Sequence, residues 1–120
     1  MRLTFLKSKI HRATVTDANL AYEGSISIDL KLIEQAGLYP FERVEIYNCH
    51  SGARIATYVI PGGDGEICLN GAAARHAQPG DQVIICAYAE LEPTEIEEHE
   101  PKLVFVNEEN QAENPNKKAA

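Results

Sequence analysis

The 120-residue chain is short of cysteine, short of positive charge and without a long apolar run. Its three cysteines, Cys49, Cys68 and Cys86, are far apart and odd in number. They form no CxxC pair, so neither a zinc site nor a disulfide framework is indicated. Cys86 falls inside the apolar run Val83 to Ala87 and reads as a buried small hydrophobe. His50, His76 and His99 have no metal-ligand spacing, and no metal is expected. The formal net charge of -7 disfavours adhesion to nucleic acid. The opening Met1-Arg2-Leu3-Thr4 is followed by Lys7 and Lys9, which leaves no uninterrupted apolar segment. No signal peptide and no membrane span are expected, and the location expected is cytoplasmic.

What is present is a single-domain length with strand-rich patterning. Val44 to Cys49 (VEIYNC), Arg54 to Ile60 (RIATYVI), Glu66 to Leu69 and Gln82 to Ala89 (QVIICAYA) are rich in β-branched and aromatic residues, with turn residues between them. Helical signal is thin. One helix is predicted over Asp29 to Ala36, with Asp29 as N-cap, Leu30, Ile33 and Ala36 as its apolar stripe, and Gly37 as its stop. Short strands joined by turns predict a small β-barrel or sandwich. Pro61-Gly62-Gly63-Asp64-Gly65 reads as a flexible connector, since no helix with a P-loop lysine follows. The acidic stretch Glu90 to Glu100 reads as a solvated face. Leu103 to Val106 could form a last short strand or dock on a neighbouring subunit. A polar tail without fixed structure is predicted from Glu108 to Ala120, leaving residues 1–107 as the folded domain.

Tyr22-Glu23-Gly24-Ser25 is the segment with chemical potential. A Gly-Ser pair is ordinary turn punctuation, but it also permits self-cleavage. The serine hydroxyl can attack the preceding carbonyl, the peptide becomes an ester, and the ester eliminates to dehydroalanine, which hydrolyses to a pyruvoyl group. Gly24 suits that attack, because a residue without a Cβ leaves its carbonyl open and tolerates strained backbone angles.

Further short patterns accompany it in a fixed order. They are Lys9 to Arg12 (KIHR), Tyr22 to Ser25 (YEGS), Arg54 with Thr57-Tyr58, and Asn70 to Ala74 (NGAAA) followed by Pro79-Gly80-Asp81. In these residues the chain resembles the pyruvoyl-dependent aspartate 1-decarboxylases, and the resemblance runs from residue 1 to about residue 106. One departure is Tyr47, where the family often carries tryptophan; an aromatic wall is kept. The resemblance implies a mainly β fold, a small double-psi β-barrel with one or two short helices. It implies cleavage between Gly24 and Ser25 into a small chain, residues 1–24, and a large chain, residues 25–120. The activity implied is conversion of L-aspartate to β-alanine and carbon dioxide for pantothenate and coenzyme A biosynthesis. Its cofactor would be a pyruvoyl group derived from Ser25, which holds the substrate as a Schiff base. A homotetramer with sites between subunits is implied as well, with Tyr47 and Arg54 coming from the subunit next to Ser25. Whether a maturation partner assists cleavage is open.

The chemistry explains why such residues are needed. Loss of carbon dioxide from an α-amino acid leaves a carbanion that requires an electron sink, and a ketone condensed with the substrate amine provides one. The resemblance assigns Arg54 and Lys9 to substrate binding, and the planar fork of Arg54 suits a carboxylate. Strong pairing to the departing α-carboxylate would stabilise the ground state more than the transition state, so the clamp is expected on the side-chain carboxylate. Tyr58 corresponds to the family's proton donor, and a phenol with an unperturbed pKa of about 10 is protonated at neutral pH. Strand alternation puts Arg54, Ala56, Tyr58 and Ile60 on one face and Ile55, Thr57 and Val59 on the other. Thr57, which the resemblance gives a role in cleavage and at the substrate, is expected near the Gly24 carbonyl as an oxyanion donor. Asn70, Gly71, Ala72 and Ala73 match a segment beside the pyruvoyl group, where small side chains admit the backbone and Asn70 can hydrogen-bond substrate or carbonyl. The same Asn-Gly also reads as a turn. Tyr22 would position the processing turn or the substrate. His11 reads either as a proton shuttle in maturation or as a structural histidine bridging strands.

Two other readings stand beside this one. A pyruvoyl enzyme of the same fold could take another amino acid, since one methylene shifts the clamped carboxylate. A β-barrel interaction module would keep Gly24-Ser25 intact.

Overall fold

The computed structural model describes residues 1–113. The elements in chain order are β1 Leu3–Thr14, β2 Asp17–Asn19, β3 Ser25–Asp29, α1 Leu30–Ala36, β4 Arg43–Asn48, β5 Arg54–Gly62, β6 Ile67–Asn70, β7 Gln82–Leu91 and β8 Lys102–Phe105. Two 3-10 segments, Gly71–His76 and Pro93–Glu98, bring the short helical pieces to three, one more than the upper expectation. Hydrogen bonding orders the strands β2-β6-β3-β5-β4-β7-β1-β8. The β2/β6, β3/β5 and β1/β8 pairs are parallel and the remaining pairs antiparallel. The fold is mainly β, as a small barrel requires.

Local chemistry accounts for these elements. On β4, Val44, Ile46 and Asn48 are buried while Arg43 is exposed and Glu45 and Tyr47 are half-buried, the period-two pattern of a one-sided strand. Strand β3 is buried along its whole length, covered by β5 on one side and β6 on the other. The core gathers Ile10, Ile26, Ile28, Ile46, Ile67, Leu69, Val59 and Ile85, each at most 2% exposed. Helix α1 starts where Asp29 Oδ1 accepts from the Lys31 amide at 2.7 Å and ends at Gly37 in the left-handed region, φ 68°. The other carboxylate oxygen of Asp29 accepts from the Gly65 amide at 2.7 Å. This bond and Glu66 Oε1 accepting from the Gly63 amide at 2.8 Å fix the segment expected to be a flexible connector. Its first two residues, Pro61 and Gly62, finish β5.

Order continues past the expected boundary at residue 107. Asn110, 1% exposed, reaches back over the barrel. Its side chain accepts from the Thr14 amide at 2.7 Å and donates to the Thr14 and Gly65 carbonyls at 2.8 and 2.9 Å. Ala112 bridges to Val106, and the Glu113 amide donates to the Phe105 carbonyl. The rest of the expected tail, residues 114–120, lies outside the described residues. The acidic Pro93–Glu98 segment is exposed or half-buried throughout, in keeping with a solvated face.

Candidate functional site

The Gly24-Ser25 junction sits at the entry to β3, where an exposed turn becomes a buried strand. Tyr22 is 53% exposed whereas Ser25 is 1% exposed. Antiparallel pairing sets Ser25 opposite Asn70 and Ser27 opposite Cys68. The Asn70 amide nitrogen then donates to Ser25 Oγ at 2.9 Å and to Ser27 Oγ at 3.0 Å. The Ser25 hydroxyl can in turn donate to the Glu23 carbonyl at 3.4 Å. Gly71, the residue after Asn70, has φ 63°, and a Cβ placed on it would lie 2.6 Å from the Gly24 nitrogen and 3.0 Å from the Tyr22 carbonyl oxygen. Only glycine permits this contact between the two segments.

Beside the junction is a cavity of about 230 Å³ lined by Gly24, Ile55, Ala56, Thr57, Ala72, Ala73 and His76. Thr57 therefore faces the same space as Gly24. Alternation along β5 explains its direction: Val59 is fully buried and Ile55 packs against the core, so the 55/57/59 face looks inward. Gly24, Ser25, Thr57, Asn70, Gly71, Ala72 and Ala73 are thus brought together within one chain. His76 joins them although its spacing in the sequence carries no signal; it lines the cavity because the Gly71–His76 turn folds back over it.

The other face of β5 carries a second group. Arg54 places its guanidinium carbon 4.0 Å over the Tyr47 ring, a cation–π contact between residues paired across β4 and β5. The Tyr47 hydroxyl hydrogen-bonds the Tyr88 hydroxyl at 2.7 Å and donates to Glu45 at 3.1 Å. Burial, followed by these two hydrogen bonds, raises the Tyr47 pKa, so it stays a neutral phenol. Tyr58 packs against Phe41 with centroids 5.9 Å apart. Lys9 joins this surface through the row Lys9, Cys86, Glu45 and Ala56 across β1, β7, β4 and β5. Tyr88 had no signal in the sequence beyond a strand position, yet it holds the aromatic platform under Arg54.

His11 stands apart from the junction. It lies on β1 opposite Phe105 of β8, with ring centroids 5.3 Å apart, whereas Ser25 has β5 and β6 as neighbours. Among the described residues its buried Nδ1 meets no hydrogen-bond partner. Burial first, then the positive charges of Lys9 and Arg12, lower its pKa.

Comparison with known proteins bears on the same residues. The profile of one family, described as aspartate decarboxylase, matches residues 1–113. A protein of Bdellovibrio bacteriovorus named aspartate 1-decarboxylase is 61% identical over 110 residues, 92% of this chain and 89% of that one. A Clostridium acetobutylicum protein of the same name is 58% identical over 116 residues, 95% of this chain and 91% of its own. The Salinibacter ruber protein so named is 54% identical over 112 residues, covering 92% and 77%.

Proposed function

The chain belongs to the aspartate decarboxylase family, and on that premise we propose that it cuts itself between Gly24 and Ser25 and then converts L-aspartate to β-alanine and carbon dioxide. The observation that carries this reading is the buried Ser25 hydroxyl, held by the Asn70 amide at 2.9 Å directly after an open glycine carbonyl. In the cleavage, Ser25 Oγ bonds to the Gly24 carbonyl carbon, the bond from that carbon to the Ser25 nitrogen breaks, and the hydroxyl proton ends on the nitrogen. Asn70 supports the step by donating to Oγ as charge develops there, and Thr57 offers a hydroxyl in the cavity where the Gly24 oxyanion forms. Loss of the Ser25 α-proton then expels the Gly24 carboxylate and leaves dehydroalanine. Water releases its nitrogen as ammonia, and residue 25 becomes a pyruvoyl group.

The surroundings fit such a group. Asn70 Nδ2 can donate to a carbonyl oxygen at residue 25 as it does to the hydroxyl, and the small residues Gly71, Ala72 and Ala73 leave room beside it. Once formed, that group would supply the electron sink that decarboxylation of an α-amino acid requires. The chain's own residues supply the rest. Arg54, steadied on the Tyr47 ring, presents its fork to the side-chain carboxylate of the substrate, and Lys9 adds positive charge on that surface. Tyr58 returns the proton to the carbanion. Tyr22 flanks the entrance from the exposed turn. His11, on β1 against Phe105 of β8 and away from the junction, fits the structural histidine bridging strands better than the proton shuttle.

Arg54 and Tyr58 do not line the cavity beside Gly24, although Ala56 between them does, so among the described residues of one chain the substrate clamp and the cleavage junction stay apart. This supports a homotetramer in which Arg54 and Tyr47 of one copy meet Ser25 of the next. The product suits pantothenate biosynthesis in the cytoplasm. The test is carbon dioxide release and β-alanine formation by the purified protein given L-aspartate or L-glutamate. Turnover of aspartate, lost in Ser25→Ala, is the expected result. Activity retained in Ser25→Ala overturns the proposal, and faster turnover of glutamate moves the substrate assignment to another amino acid.

A further inference from the structure

Behind the Ser25–Asn70 contact is a buried thiol. Cys68 is two residues before Asn70 on β6, so both side chains point to the same face. The Cys68 thiol is 3.3 Å from Asn70 Oδ1 and is positioned to donate to it. The competing acceptor, the Leu69 carbonyl, is at 3.9 Å. Cys68 is 5% exposed, Asn70 3%, Ser25 1% and Ser27 7%, so water does not enter this quartet freely.

The direction of the Asn70 carboxamide is not fixed by the serines. A hydroxyl donates or accepts with equal ease, so Ser25 and Ser27 would serve an amide oxygen turned toward them as well as an amide nitrogen. The thiol is different: it is a weak donor and a poor acceptor, and it favours Oδ1 over Nδ2 as its neighbour. Burial, with the charges of Asp17 and Glu66, holds the thiol protonated.

We infer that Cys68 is a positioning residue for self-cleavage: its S–H fixes the Asn70 carboxamide so that the amide nitrogen, and not the oxygen, faces Ser25 Oγ. In that orientation Oγ receives a hydrogen bond as its proton leaves. In the flipped orientation the Ser25 proton is held by Asn70 Oδ1, and Oγ meets no donor. This rests on the self-cleavage reading above.

The test follows the cut fraction of the full chain over time by intact mass, for the parent and for Cys68→Ser, Cys68→Ala and Cys68→Val, each with its melting temperature. Serine keeps a donor, alanine removes it, and valine removes it while filling the space. Alanine and valine are expected to slow cleavage by about tenfold, a barrier change of about 1.4 kcal/mol. Serine can donate to Oδ1 but also accept from Nδ2, so it holds the carboxamide less firmly than the thiol and is expected to be intermediate, about threefold slower than the parent, a change of less than 1 kcal/mol on the same scale. Cleavage of Cys68→Val at the parent rate overturns the inference, as does a serine variant as slow as valine, which would make the position one of packing alone. A parent chain that stays whole overturns the self-cleavage reading itself, and the inference with it.

Discussion

The His11 ring packs against Phe105 with a buried Nδ1 that has no partner among the described residues, and its pKa is lowered chiefly by burial. Its ordinary value of 6.5 therefore lies above the folded one, and between the two the unfolded chain binds more protons. Stability from the neutral ring is present above about pH 6.5 and is lost as pH falls through the folded value. His11→Phe keeps a ring on Phe105 but has no proton to take up. Its melting temperature is expected to fall less than the parent's between about pH 7.5 and about pH 5.5; parallel curves would contradict this assignment. Ser25 and Asn70 were legible because their residue types and order match a family pattern. Cys68 was not, because a lone cysteine in a strand has the same signature whether it packs or donates. Gly71 was legible only as a small residue. Its close approach to Gly24 depends on a chain crossing that no local pattern records.

The two faces of β5 followed from period-two alternation, and helix α1 followed from its caps, Asp29 and Gly37. Strand β1 was not marked by the sequence. Its residues Lys7, Ser8, Lys9, His11 and Arg12 break any apolar alternation, and register shifts after Leu6 and Ile10 let Ser8, Ile10 and Ala13 turn inward. Strand β3 was also missed, although Ser25 to Asp29 alternates polar and apolar, because it is only five residues long and opens on a Gly-Ser pair that reads as a turn. The segment after β8 shows how one polar side chain can order a polar stretch. Asn110→Ala removes the partner of the Thr14 amide and of two carbonyls. The expected loss is about 2–3 kcal/mol of unfolding free energy in urea, measured at fixed protein concentration. An unchanged midpoint and slope would mean that this segment adds nothing to the fold.

At the scale of the whole molecule, the proposed reading gives cleavage to the Thr57 side of β5 and the substrate to Arg54 and Tyr58, with assembly of copies joining the two. The arrangement predicts complementation. Inactive Ser25→Ala and inactive Arg54→Ala subunits, co-expressed, are expected to recover aspartate turnover that neither has alone, because a site between copies can take Ser25 from one and Arg54 from the other. No recovery in a mixed oligomer would place both residues in the same subunit's site. All of this depends on one covalent event. The most direct measurement is the intact mass of the purified protein after warm incubation. Two fragments divided between Gly24 and Ser25 are predicted, the larger lighter than a serine-terminated chain by the mass of one ammonia. A single chain of full mass, unchanged after prolonged incubation and without carbonyl reactivity, would contradict the account.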